Sequence, residues 1–228
     1  MKNRLIINRL LSQYHGFVAE QIIPERRVSM SYSIIGFGAV GQALARAFAR
    51  KNIDVTVASR RPPETLMQPA RAIGPTVAPA TLRDAITSDT IILAVPFWEH
   101  REVAKQLASW QGKTIIDATN AFGVAVEDLG GQPSSAVVAK AFTGASFVKG
   151  FNHLPAAVLA ADPNVKGGRR VVFLSSDDDS AVVPVAALAE RLGFAPISLG
   201  PLEEGGSLVQ ARGNSWARLI FEDLVKFK

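Results

Sequence analysis

Three glycines, Gly36, Gly38 and Gly41, directly follow the apolar run "YSII" and open the periodic stretch "AVGQALARAFAR". A lone G-x-G-x-x-G says little, but here it ends a strand and starts a helix, the context in which it forms a dinucleotide-binding turn. Each glycine answers a different need. Gly36 permits the tight turn, Gly38 lets backbone approach a pyrophosphate, and Gly41 allows the helix to pack closely on the strand. The helix start adds free N–H groups and a dipole that favours an anion. Gly36, Phe37, Gly38, Ala39, Val40 and Gly41 are therefore the expected pyrophosphate cradle, and the surrounding chain must supply a βαβ unit to hold it.

The rest of the sequence meets that demand. The apolar runs "YSIIGFG", "DVTVAS", "TIILAVPF", "KTIIDATN", "SFVKGFN", "RRVVFLSS" and "APISLG" alternate with stretches that read as helices or loops. Continuous rather than alternating apolar strands imply a sheet covered on both faces. The expected fold is α/β, a doubly wound, mostly parallel sheet with a short helical C-terminal extension. In the first crossover Val40, Leu44, Ala47 and Phe48 share a face opposite Gln42, Arg46 and Arg50. A second helix, "AVVPVAALAERLGF", has Gly193 to close it. Ser207 is the expected N-cap of a terminal helix through "LVQARGNSWARLIFEDLVKF". Residues 1–29 read as a poorly ordered N-terminal extension and 30–228 as one nucleotide-binding domain.

Composition narrows the chemistry. The 228 residues contain no cysteine, which excludes disulfides and thiolate metal sites, so redox chemistry requires a bound cofactor. The net charge is +5, and Lys2, Arg4, Arg9, Arg26 and Arg27 against Glu20 and Glu25 place +3 of it in the first 29 residues. The remainder is too small to imply a nucleic-acid face. Arg9 interrupts the apolar start and no membrane-length run follows, so a cytoplasmic protein without membrane contact is expected. The three histidines are far apart, no metal site is expected, and Asp177, Asp178 and Asp179 read as a solvated turn and helix start.

The second strand selects the nucleotide. Where an NAD unit carries an acid for the ribose 2′-hydroxyl, this chain has Ser59, Arg60 and Arg61. One hydroxyl and two guanidiniums suit a 2′-phosphate, which makes NADP(H) the expected cofactor. Later strand ends face the same crevice: Val95, Pro96 and Phe97 after one, Thr119, Asn120 and Ala121 after another. Asn120 reads either as a ligand of the ribose or nicotinamide amide or as a helix cap. Lys149, Asn152 and His153 in "VKGFNHLP" are the candidates for the substrate pocket, although Lys149 also reads as an exposed strand residue and His153 as a helix-start residue. There is no Tyr-x-x-x-Lys pair, and no acid–base constellation stands out. Hydride exchange between two rings tolerates that gap, because a flavin-like ring carries its own proton-accepting positions.

Together "IIGFGAVGQALARAFA", "VASRR", "ILAVPF", "IIDATNAF", "VKGFNHLPA", "VVFLSSDD" and "LGFAPISLGPLEEG" resemble the NADPH-dependent reductases of the deazaflavin coenzyme F420, from about Ser31 to the end. The resemblance implies a Rossmann-type domain with a small C-terminal extension, a homodimer, and hydride transfer between NADPH and a deazaflavin or flavin ring as the small-molecule acceptor. By position it puts the glycine turn on the pyrophosphate, Ser59, Arg60 and Arg61 on the 2′-phosphate, and Val95, Pro96 and Asn120 on the nicotinamide half. Related domains in membrane ferric reductases pass electrons from NADPH to flavin. The family often has a small residue and a threonine where this chain has Gly150 and His153. Two alternatives remain: reduction of a small carbonyl or imine, with Lys149 or His153 supplying the proton, and a non-catalytic NADP(H)-sensing protein that regulates a partner.

Overall fold

A computed structural model of the chain describes residues 30–125 and 127–210. The expected extension at 1–29 and most of the expected terminal helix, from residue 211 onward, lie outside the described residues. Ten strands form in chain order: β1 Tyr32–Ile35, β2 Val55–Ala58, β3 Val77–Pro79, β4 Thr90–Leu93, β5 Thr114–Asp117, β6 Ser146–Gly150, β7 Asn164–Val165, β8 Gly168–Arg169, β9 Val171–Ser175 and β10 Ala195–Ser198. Eight of them make one sheet in the order β10-β9-β6-β5-β4-β1-β2-β3, while β7 and β8 pair as a separate small ribbon. From β3 to β6 every pairing is parallel. Strand β9 then runs antiparallel to β6 and carries β10 parallel to itself.

Alternate side chains sort onto two faces, which is why the strands read as unbroken apolar runs. Ile34, Val57, Ile92, Ile116 and Val148 belong to one core. Ile35, Ala58, Ile91, Leu93, Ile115 and Phe147 belong to the other. The helix Ala39–Arg50 covers the first core with Ala43, Leu44, Ala47 and Phe48 while Arg46 stays outside. The helix Asp179–Arg191 covers the same face further along. The carboxylate of Asp178 caps it by accepting from the Ser180 N–H at 2.9 Å, and Gly193 follows it with φ 98°. Asp177 accepts from the Leu202 N–H instead. The acidic run therefore divides its labour, one residue capping, one opening the helix and one tying down the chain after β10.

Two readings of the sequence change here. Strand β3 is only three residues long, ends in proline and sits at the sheet edge, so no apolar run announces it. Ser207 is not an N-cap: it follows a π-helical turn at Leu202–Gly206, and its hydroxyl donates to the Glu203 carbonyl. Among the described residues no helix is long and apolar enough to cross a membrane.

The architecture fixes where a ligand can sit. The chain enters at β1, winds outward through β2 and β3, and returns to β4 on the other side of β1. That reversal opens a crevice beyond the carboxyl ends of β1, β2 and β4.

Candidate functional site

At the end of β1 the three glycines separate by what surrounds them. A Cβ on Gly36 would stand 2.3 Å from the Ala94 carbonyl oxygen, and its φ of 103° already favours glycine. The Gly36 N–H donates to the Ala58 carbonyl at 2.8 Å, so the turn is tied to β2 as well as β4. A Cβ on Gly41 would meet the Gly36 carbonyl oxygen at 1.9 Å. Around Gly38 a Cβ would have nothing within 4 Å. Packing therefore explains two of the glycines. The third faces open space at the start of a twelve-residue helix with no side-chain cap and no acid in its first turn. Free N–H groups, a positive dipole end and unfilled room are what a pyrophosphate needs.

A cavity of about 310 Å³ opens beside this turn. Its lining brings together Gly36, Phe37 and Gly38 with Ser59, Arg60 and Arg61 from the end of β2 and Val95 and Pro96 from the end of β4. Ala39, Val40 and Gly41 continue into the helix. The Ser59 hydroxyl accepts from the Arg61 N–H at 3.0 Å, which folds the β2 end into a compact turn that presents both arginines outward. The Arg61 guanidinium makes no hydrogen bond or ion pair among the described residues. Arg60 is paired with Glu99 at 2.6 Å. Glu99 and Glu102 also line the cavity, and neither was singled out in the sequence. Their only signal is position, in the turn that follows "LAVPF".

The other strand ends lie further along the carboxyl edge. Asn120 and Asn152 make a reciprocal amide pair: the Asn120 amide donates to the Asn152 carbonyl at 2.8 Å, and Nδ2 of Asn152 donates to Oδ1 of Asn120 at 3.2 Å. Asn120 is thus not a helix cap. Nδ2 of Asn152 also donates to the Val209 carbonyl at 3.0 Å, while its Oδ1 and the nearby Thr119 hydroxyl are buried with no partner among the described residues. Both ring nitrogens of His153 are likewise buried with no partner among the described residues. Phe151 just before Asn152 has φ 60°, strained for a phenylalanine, and its fully buried ring holds it there.

Lys149 and His153 do not present themselves to a substrate, which corrects their expected place in the pocket. Lys149 is 1% exposed, and its ammonium sits 2.9 Å from Asp117 while donating also to the Thr119 carbonyl. It lies inward because β6 is flanked by β5 on one side and β9 on the other, and Asp117 is its register partner. His153 is 5% exposed with its ring 5.0 Å from that of Phe173. Burial lowers its pKa to about 4, only partly opposed by the backbone at Val171. Near neutral pH the imidazole is therefore uncharged.

Residues 31–121 match the family model described as NADP oxidoreductase, coenzyme F420-dependent. The metalloreductase STEAP3 of Rattus norvegicus is 30% identical over 203 residues, covering 86% of this chain and 38% of that protein. The chain thus spans well under half the length of the curated relatives it matches. A hypothetical protein of Sinorhizobium meliloti is 40% identical, with a TM-score of 0.80 over 85% of this chain and 96% of that one. A proposed F420-dependent NADP reductase of Arthrobacter shares the fold, with a TM-score of 0.63 at 24% identity over 76% of this chain and 86% of that one.

The glycines give a first test. Gly38→Ala should melt like the wild type yet lose dinucleotide binding, whereas Gly41→Ala should lower the melting temperature; equal binding by Gly38→Ala would remove the pyrophosphate from this turn. For the ion pair, Lys149→Met leaves a buried carboxylate alone and should cost about 3–5 kcal/mol in denaturant unfolding. A Lys149→Met/Asp117→Leu double variant should recover a large part of that loss. The depressed His153 pKa predicts stability that is present above pH 6.5 and is lost as pH falls toward about 4. A His153→Leu variant should flatten the pH-dependence of unfolding in that window by about 3 kcal/mol relative to the wild type.

Proposed function

Because the chain belongs to the family of F420-dependent NADP oxidoreductases through residues 31–121, we propose that it is a reductase that draws on NADPH and passes hydride to a deazaflavin or flavin-type ring. The observation that carries this reading is a crevice with a glycine turn, a serine and two arginines at one end, while the candidate proton donors of the other end, Lys149 and His153, are buried. The helix start at Gly38 would receive the pyrophosphate. Ser59, Arg60 and Arg61 would receive the 2′-phosphate, and the β2 end has no acid to repel it. Val95 and Pro96 would flank the nicotinamide half, with Asn120 and Asn152 beside it.

Bound NADPH would supply the hydride from its nicotinamide ring. The protein's part is to hold two planar partners in register and keep bulk water from between them, which is where most of the rate advantage of such a transfer arises. Reducing a carbonyl or imine requires a proton delivered with the hydride. The two residues that could deliver it are withdrawn, Lys149 into an ion pair and His153 into the core as a neutral ring. A ring acceptor takes its proton at its own nitrogen from solvent and needs neither.

Under anaerobic conditions NADPH oxidation should be seen with flavins or a deazaflavin and not with small carbonyls or imines. Turnover of carbonyls alone would overturn the ring acceptor, and turnover of nothing despite tight NADPH binding would make the chain a sensor. Replacing Arg60 and Arg61 with alanine should weaken NADPH binding by about 1–3 kcal/mol per lost charge-assisted contact and leave NADH binding nearly unchanged. Equal loss for both nucleotides would overturn the 2′-phosphate assignment.

A further inference from the structure

Arg60 follows β2 and Glu99 follows β4, and these two strands flank β1 on opposite sides. Their 2.6 Å ion pair therefore bridges the carboxyl end of β1, above the glycine turn, and both residues line the cavity there. Of the neighbouring charges, Arg61 makes no ion pair among the described residues, and the others are engaged elsewhere. Lys105 holds Glu102 at 2.7 Å, and the Arg101 guanidinium lies 4.1 Å from the centre of the Trp98 ring. Glu99 is the acid left facing Arg60, and it is the more protected of the two, 26% exposed against 78% for the arginine.

We propose that Glu99 is an affinity-setting residue of the cofactor site, a built-in anion that occupies Arg60 when the crevice is empty and yields it to the ligand's 2′-phosphate. The inference rests on the reading of this crevice as an NADP(H) site. Nucleotide binding is then an exchange of anions on one guanidinium. The incoming phosphate brings up to two charges and three acceptor oxygens against the single charge of a carboxylate, so it wins the exchange. The displaced carboxylate stays close by. It receives Arg60 again when the oxidised cofactor leaves, so release does not strand an unpaired cation. A ligand without the 2′-phosphate offers Arg60 nothing in return and leaves the pair in place.

The probes are 2′,5′-ADP and 5′-ADP, titrated calorimetrically against the full chain. They report binding and do not depend on turnover. Glu99→Gln should bind 2′,5′-ADP about three- to fivefold more tightly, the range of one exposed ion pair, and 5′-ADP as the wild type does. In an Arg60→Ala background the same change should bring no gain. The absence of any gain in Glu99→Gln overturns the proposal, as does a gain that persists undiminished without Arg60, which would mean simple repulsion through space. A wild type that does not prefer 2′,5′-ADP over 5′-ADP overturns the NADP(H) reading itself. A wild type with that preference and an unresponsive Glu99→Gln overturns only the role of Glu99.

Discussion

The buried pair of Asp117 and Lys149 is the interaction on which the distal half of the crevice depends. Two charges at 0% and 1% exposure are costly to desolvate, and an apolar pair of the same volume would stabilise the sheet at least as well. What the ions add is direction. One carboxylate oxygen of Asp117 accepts from the Thr119 N–H at 2.9 Å, the other accepts from Lys149, and the same ammonium takes the Thr119 carbonyl. Both polar backbone groups of Thr119 are thereby fixed. The next residue, Asn120, leaves the strand in one orientation and meets Asn152 from the end of β6. Leu and Ile at 117 and 149 would pack, but the backbone N–H and carbonyl of Thr119 would lose these partners.

The proximal half is built differently. There the turn at Gly36 is tied by backbone hydrogen bonds to β2 and β4, with the Gln42 amide donating to the Phe37 carbonyl at 3.2 Å, and arginines and glutamates line the cavity on the solvent side. A glycine turn beneath exposed arginines suits phosphate recognition, because its free N–H groups can define position while the guanidiniums supply charge. The two halves therefore divide recognition between a fixed frame and an exchangeable shell.

Legibility in the sequence follows the same division. The strands were readable because burial on both faces leaves long apolar runs, and the glycine turn because close backbone approach admits no other residue. Ser59, Arg60 and Arg61 were readable because their place after β2 is set by the turn. Lys149 was not: in "SFVKG" it looks like an ordinary outward residue, and its partner is 32 positions away on β5. Glu99 was invisible for a related reason, since its relation to Arg60 depends on β4 returning to the far side of β1. His153 looked chemical because histidine often is, and only its burial against Phe173 shows otherwise. Pairings that cross the sheet are properties of topology, and a local pattern cannot carry them.

The polar residues at the strand ends include a lysine and a histidine four residues apart, the pair that the carbonyl or imine alternative would have to use. Their burial argues against that role, because the Lys149 ammonium is held by Asp117 and the Thr119 carbonyl and the His153 ring is shut in against Phe173. A site furnished this way favours an acceptor that manages its own protons, and planar rings do so. The family resemblance and the buried side chains thus support the proposed ring acceptor by separate routes. The resemblance alone would not have excluded a carbonyl, and the burial alone would not have named a nicotinamide cofactor.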